Sequence, residues 1–155
     1  MFNIVKQQGM KKILVIIITV FSLGIIVAKA DNDRVITKKG LPIKAQQFIN
    51  THFATVKVSY IKEDRDFFDR NYEIVFADGS KIEFGRSGDW IEVDCRYTSV
   101  PQAIVPDAIK AYVKKQFPDV QIVEIERKRG NHEVKLSNKL ELIFDKKLRI
   151  KGVDD

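Results

Sequence analysis

Cysteine is almost absent: Cys95 stands alone in 155 residues, so no disulfide closes within the chain and the fold must rest on its hydrophobic core. Cys95 itself reads either as a half-buried small hydrophobe or as a reactive or intermolecular thiol. Histidine is scarce too. His52 and His132 stand in no HxxH or HExxH pattern and there is no CxxC, so zinc has no ligand set. Asp64, Asp66 and Asp69 cluster, but the run lacks the glycine and distal glutamate of a calcium loop. Gly85-Arg86-Ser87-Gly88 reads as a hairpin and not as a phosphate cradle, and no serine sits in GxSxG. A Cys95–His132 thiol dyad would need the fold to bring the two together. The expectation is a non-enzyme with no catalytic residue, metal ligand or cofactor.

Charge of one sign is also lacking once its distribution is followed. The chain carries 27 basic and 21 acidic residues, but Lys6, Lys11, Lys12 and Lys29 precede every acid. The remainder is close to neutral with its signs interleaved, which argues against a nucleic-acid partner.

What is present begins with an apolar run. Residues 13–28 hold no charge, follow Lys11-Lys12, and lead into Ala28-Lys29-Ala30. A positive n-region, apolar h-region and A-x-A site predict a Sec-type signal peptide over 1–30, cleaved after Ala30, and a periplasmic or secreted product. The run would span ~24 Å as a helix, short of a ~30 Å hydrocarbon core, so no stable membrane span is expected after cleavage. Met10-Lys11-Lys12 is an alternative start to Met1.

The rest of the chain matches itself. Leu41-Pro42 aligns with Val105-Pro106, Phe48-Ile49 with Tyr112-Val113, and Phe53 with Phe117. Lys81-Ile82-Glu83-Phe84 then aligns with Lys139-Leu140-Glu141-Leu142, and Ile91-x-Val93 with Leu148-x-Ile150. This predicts a leader at 31–40, one unit at 41–94, a linker at 95–104 and a second unit at 105–153. Each unit opens with a helix, because Pro42 and Pro106 suit a first turn and Ala45, Phe48, Ile49 and Phe53 recur at helical spacing, as do Ile109, Tyr112, Val113 and Phe117.

Four strands follow in each unit, near 55–63, 71–77, 80–85 and 89–94, then near 119–128, 131–137, 139–144 and 147–151. Asp78-Gly79, Gly130-Asn131 and Ser137-Asn138 offer the positive-φ residues of tight hairpins. Tyr72, Ile74, Phe76, Ile82 and Phe84 alternate with Glu73, Lys81 and Glu83. The predicted fold class is therefore α+β: two tandem units, each a helix on one side of a four-stranded antiparallel sheet whose other side faces water.

That open side is where a function would lie. Matching Ile91 and Val93 to Leu148 and Ile150 turns Trp90, Glu92 and Asp94 outward, opposite Lys147, Arg149 and Lys151. An outward Trp90 would be a binding anchor; a register shifted by one residue would put it in the core instead. Phe67-Phe68, amid charges in a predicted loop, either meet a partner or cap the edge of the core.

These residues support a resemblance. The stretches Leu41-Pro42-x-Lys44-Ala45-Gln46-x-Phe48-Ile49, Tyr72-Glu73-Ile74, Asp78 to Phe84, Gly88 to Cys95, Val100-Pro101 and Glu133 to Asn138 resemble the PepSY-like, beta-lactamase-inhibitor-like proteins over roughly residues 35–153. The resemblance implies a tandem αββββ arrangement whose sheets run together into one surface that grips a protein. It also implies a link to restraining peptidases. The chain departs from secreted inhibitors in having no cysteine pair in each unit. The reading is an exported, non-catalytic protein-binding or inhibitor-like module with Trp90, Glu92, Phe67 and Phe68 as anchors. Its partner would be an envelope protein, a peptidase or another enzyme. The alternative is a small-ligand carrier or sensor with a pocket between helices and sheet.

Overall fold

Alternation of apolar and polar residues, broken by turn residues, leaves each segment after Ile36 one apolar face to bury, and a single sheet buries them together. The computed structural model describes residues 33–65 and 69–154. The chain divides into units 1–31 and 32–155, and the predicted signal peptide falls outside the described residues.

The elements run β1 (Arg34–Ile36), a 3-10 turn (Lys38–Gly40), α1 (Ile43–His52), β2 (Val58–Arg65), β3 (Arg70–Phe76), β4 (Lys81–Phe84) and β5 (Trp90–Asp94). Then come α2 (Asp107–Gln116), β6 (Ile122–Lys128), β7 (Asn131–Leu136), β8 (Glu141–Phe144) and β9 (Ile150–Asp154). Among the described residues, the nine strands form one antiparallel sheet in chain order. This corrects the expectation of two tandem units with a four-stranded sheet each. Two features overturn it. β5 pairs directly with β6 through Val93↔Ile125 and its neighbours, and the supposed leader contributes β1, with Ile36 opposite Ile61. The linker cannot hold halves apart, because the Cys95 and Val100 amides donate to the Val123 and Ile122 carbonyls.

Pro42 and Pro106 occupy the cap position just before each helix, where their carbonyls accept from the Gln46 and Lys110 amides. Both helices press on one face of the sheet. Ala45, Ile49 and Phe53 of the first and Ile109 and Val113 of the second are buried. Phe48 meets Phe84 edge-on at 5.5 Å, and Tyr112 meets Phe144 likewise at 5.5 Å. Each fully buried aromatic of this kind contributes roughly 1.5–3 kcal/mol. Gly88, at φ +83°, lets the β4–β5 turn seat on the start of α1: a Cβ there would lie 2.8 Å from Pro42 Cβ and 3.0 Å from the Ala45 amide. In the β7–β8 turn the positive φ falls on Lys139, at 75°, one residue beyond the predicted Ser137-Asn138 pair.

The decisive irregularity is a bulge. Glu83 pairs with Glu92 but Phe84 pairs with Trp90, so Ile91 is an extra residue in β5. Strict alternation breaks there, and Trp90 and Val93 both face the helices. The outward placement of Trp90 is thereby corrected: it is 7 % exposed and part of the core. The same bulge recurs where Phe144 pairs with Ile150, so Trp90 corresponds to Ile150. Lys147 and Arg149 lie in the β8–β9 turn, where both backbone amides donate to Asp145, instead of opposing Glu92 and Asp94.

Candidate functional site

The face turned away from the helices takes the alternate residues of each strand, and the register lines them up. One row runs Lys62, Glu73, Glu83, Glu92, Glu126, Glu133 and Ile143 across β2 to β8, each the direct partner of the next. Five consecutive strands therefore each present a glutamate at the same level. The neighbouring row mixes signs: Lys81, Asp94, Glu124, Lys135 and Glu141.

Lysines beside the row neutralise it only in part. Lys81 stands 3.9 Å from Glu73 and 3.8 Å from Glu92, and Lys128 stands 3.4 Å from Glu133 and 3.9 Å from Glu126. Asn71 donates to Glu83 at 3.2 Å. Burial raises the carboxyls of Glu83, Glu92 and Glu126 above the ordinary range; neighbouring carboxylates add to the rise, while Lys81 opposes it at Glu83 and Glu92 and Lys128 at Glu126. At the β2–β4 end, Lys62, Asp64, Asn71, Glu73 and Glu83 line a depression of about 120 Å³.

Where the two rows meet, ligand oxygens of Glu92, Asp94 and Glu124 lie within 4.8 Å of one another. Asp94 is almost fully buried and accepts from the Arg96 amide at 3.0 Å and its Nε at 3.1 Å. Glu124 accepts from Lys135 at 2.9 Å.

Of the residues singled out from the sequence, Glu92 stands mid-row, Trp90 lies on the opposite face, and Phe67 and Phe68 fall outside the described residues. Trp90 packs near Phe48, and the Arg127 guanidinium sits 3.6 Å over its ring. Glu73 and Glu83 were legible as outward residues. Glu126 and Glu133 alternate just as plainly, but nothing local reveals which residues stand beside each other across strands. The thiol dyad fails: Cys95 bonds to Val123 at one end of β6 and His132 pairs with Arg127 at the other, roughly 13 Å apart at 3.3 Å per residue. Burial also pushes the Cys95 thiol up, away from the reactive thiolate.

The family model described as "Putative beta-lactamase-inhibitor-like, PepSY-like" matches residues 70–151. The chain belongs to the PepSY-like family. Three solved relatives of this PepSY-like protein share its fold. A "putative periplasmic protein from DUF2874 family" of Bacteroides vulgatus is 45 % identical, with 81 % of this chain and 99 % of that one covered, at a TM-score of 0.79. A "putative calcium-regulated periplasmic protein" of Bacteroides thetaiotaomicron is 46 % identical with the same coverage and TM-score. A second Bacteroides vulgatus protein, a "putative periplasmic protein of unknown function", is 38 % identical over 79 % of this chain and 99 % of that one, at a TM-score of 0.75. No curated protein matches the chain. This PepSY-like protein is periplasmic like these relatives, and among the described residues no helix is long and apolar enough to cross a membrane.

Proposed function

We propose that this PepSY-like protein is a non-catalytic periplasmic binding module, and that the glutamate row on the open face of its sheet is the working surface. The observation that carries the reading is the register itself: Glu73, Glu83, Glu92, Glu126 and Glu133 stand side by side on β3 to β7. Like charges directly opposite cost a sheet roughly 0.2–1 kcal/mol per pair. Four such pairs in unbroken succession across one face break a local rule repeatedly and mark a surface kept for something other than stability. The partner that suits it is an envelope protein presenting lysines and arginines, and the inhibitor-like family supports a protein target. Fold alone does not choose among targets.

The test is crosslinked capture by residues 31–155 from an envelope extract, set beside the variant Glu83→Gln/Glu92→Gln/Glu126→Gln. A partner that is lost in the variant, and eluted by salt from the native protein, supports the reading. A partner held equally by both would place the working surface elsewhere.

Calcium is a second reading, favoured by the convergence of Glu92, Asp94 and Glu124 and by the calcium-regulated relative. The three carboxylates are the hard oxygen donors that calcium takes, with water completing six to eight ligands. Arg96 and Lys135 hold two of them now, so the ion competes with those side chains. A calcium-dependent rise in melting temperature that Glu124→Gln abolishes supports it; an equal rise in the variant counts against it.

A further inference from the structure

On the helix side, away from the glutamate row, α2 and the start of β6 leave a groove of about 270 Å³. Its lining mixes apolar Val113, Val120 and Ile122 with polar Gln102, Lys110 and Lys114. The same place exists in the first half of the sheet, 64 residues earlier, since α1 begins at Ile43 and α2 at Asp107. There Lys38, in the position of Gln102, donates its Nζ to Asn50, in the position of Lys114, at 2.5 Å. In the first half a side-chain hydrogen bond thus spans this place as a strap. The second half has exchanged both members of the strap for Gln102 and Lys114.

The exchange also changes the chemistry. Lys110 is drawn to Asp107 at 2.7 Å, whereas Lys114 has no ion pair among the described residues. An ammonium among apolar lining side chains suits one kind of molecule: an anionic head with a compact hydrocarbon body. The volume lies just below the ~300–1,000 Å³ of ordinary ligand pockets, so the body is small. We propose that the α2–β6 groove binds a small organic carboxylate, its carboxylate on Lys114 and its aryl or branched alkyl group on Val113, Val120 and Ile122. The glutamate-row function neither requires nor excludes this site, because the two lie on opposite faces of the sheet.

The test uses residues 31–155 and 3-phenylpropionate, with 3-phenylpropan-1-ol as the uncharged control, followed by amide chemical shifts. Saturable shifts confined to residues 102–122, weaker for the alcohol, are expected. Losing one charge-assisted hydrogen bond weakens binding by about tenfold, so Lys114→Gln should do so while Lys114→Arg retains affinity. The double variant Gln102→Lys/Lys114→Asn rebuilds the strap of the first half and should abolish the shifts while leaving the rest of the amide spectrum in place. Equal binding of acid and alcohol, shifts elsewhere, no saturation at millimolar probe, or full binding by the strapped variant would each overturn the proposal.

Discussion

The β4–β5 and β8–β9 hairpins are the same device in two settings. Both close with a backbone bond across five residues, Gly85 to Asp89 and Asp145 to Arg149, and both carry a bulge that turns the next residue towards the helices. At that position stands Trp90 in one, 7 % exposed, and Ile150 in the other, 37 % exposed. The geometry is shared, and the surroundings differ: β5 is flanked by β6, whose Arg127 covers the indole, while β9 is the last strand of the sheet. The turns diverge as well. Gly88 takes φ +83° against the start of α1, where the second hairpin uses Leu148 at φ 59°, with a side chain that packs on the core. Burial in a sheet is therefore decided by what lies beyond a strand, even when two hairpins share the same bulge.

The largest expected effect breaks that contrast outright. Trp90→Ala should cost about 3–5 kcal/mol in denaturant unfolding, as for other buried aromatics, whereas Ile150→Ala should cost well under half as much. Next comes Gly88→Ala. A left-handed backbone costs an alanine about 1–2 kcal/mol, and the Cβ would lie 2.8 Å from the Pro42 ring, too close to keep. The same measurement should find Leu148→Ala less costly than Gly88→Ala.

Smaller effects separate the carboxylates by sign. Asp145 accepts the Arg149 and Lys147 amides and the Arg149 side chain, and the backbone bond from Arg149 leads in lowering its carboxyl to about 2. Its contribution is present above an ordinary aspartate value and is lost as pH falls through about 2. Asp145→Asn should therefore lower the melting temperature at pH 6 and lose most of that effect near pH 2. The row behaves oppositely. Burial raises Glu83, Glu92 and Glu126, so their stabilisation is present below the ordinary glutamate value and lost as pH rises through the raised one. The triple glutamine variant should melt higher than the native protein at pH 7, for a gain in unfolding free energy of about 1 kcal/mol in all, with the gap closing below pH 4. A lower melting temperature at pH 7 would mean that the row supports the sheet.

Much of this was legible beforehand, and the exceptions share a cause. Helices after Pro42 and Pro106, strands around Ile74 and Val134, and turns at Gly79 and Gly130 follow from local spacing and lie close to where it put them. Trp90 did not, because a bulge adds one residue that alternation cannot count. β1 falls within the predicted leader because three residues are too few to show a period. The fusion at β5–β6 follows from the family resemblance and not from local spacing, and the glutamate row depends on register between strands far apart in sequence. There Glu92 gains meaning only from Glu83 and Glu126 beside it, and Trp90 offered a louder signal that pointed to the wrong face.

The strand order, which follows the chain without a single crossover, also bears on how the molecule forms. Most strands pair with a partner reached through a short turn, so little loop entropy is spent before each ladder forms. Two pairings close longer loops: β1 with β2 across α1, and β5 with β6, the longer, which must wait while the chain from Cys95 to Gln121 builds α2 and returns. Low contact order elsewhere favours rapid zipping of each half, and the β5–β6 seam becomes the slow closure. Weakening Val93 or Ile125 should thus slow refolding more than an equal loss of stability at β8–β9, where the ladder closes late and locally.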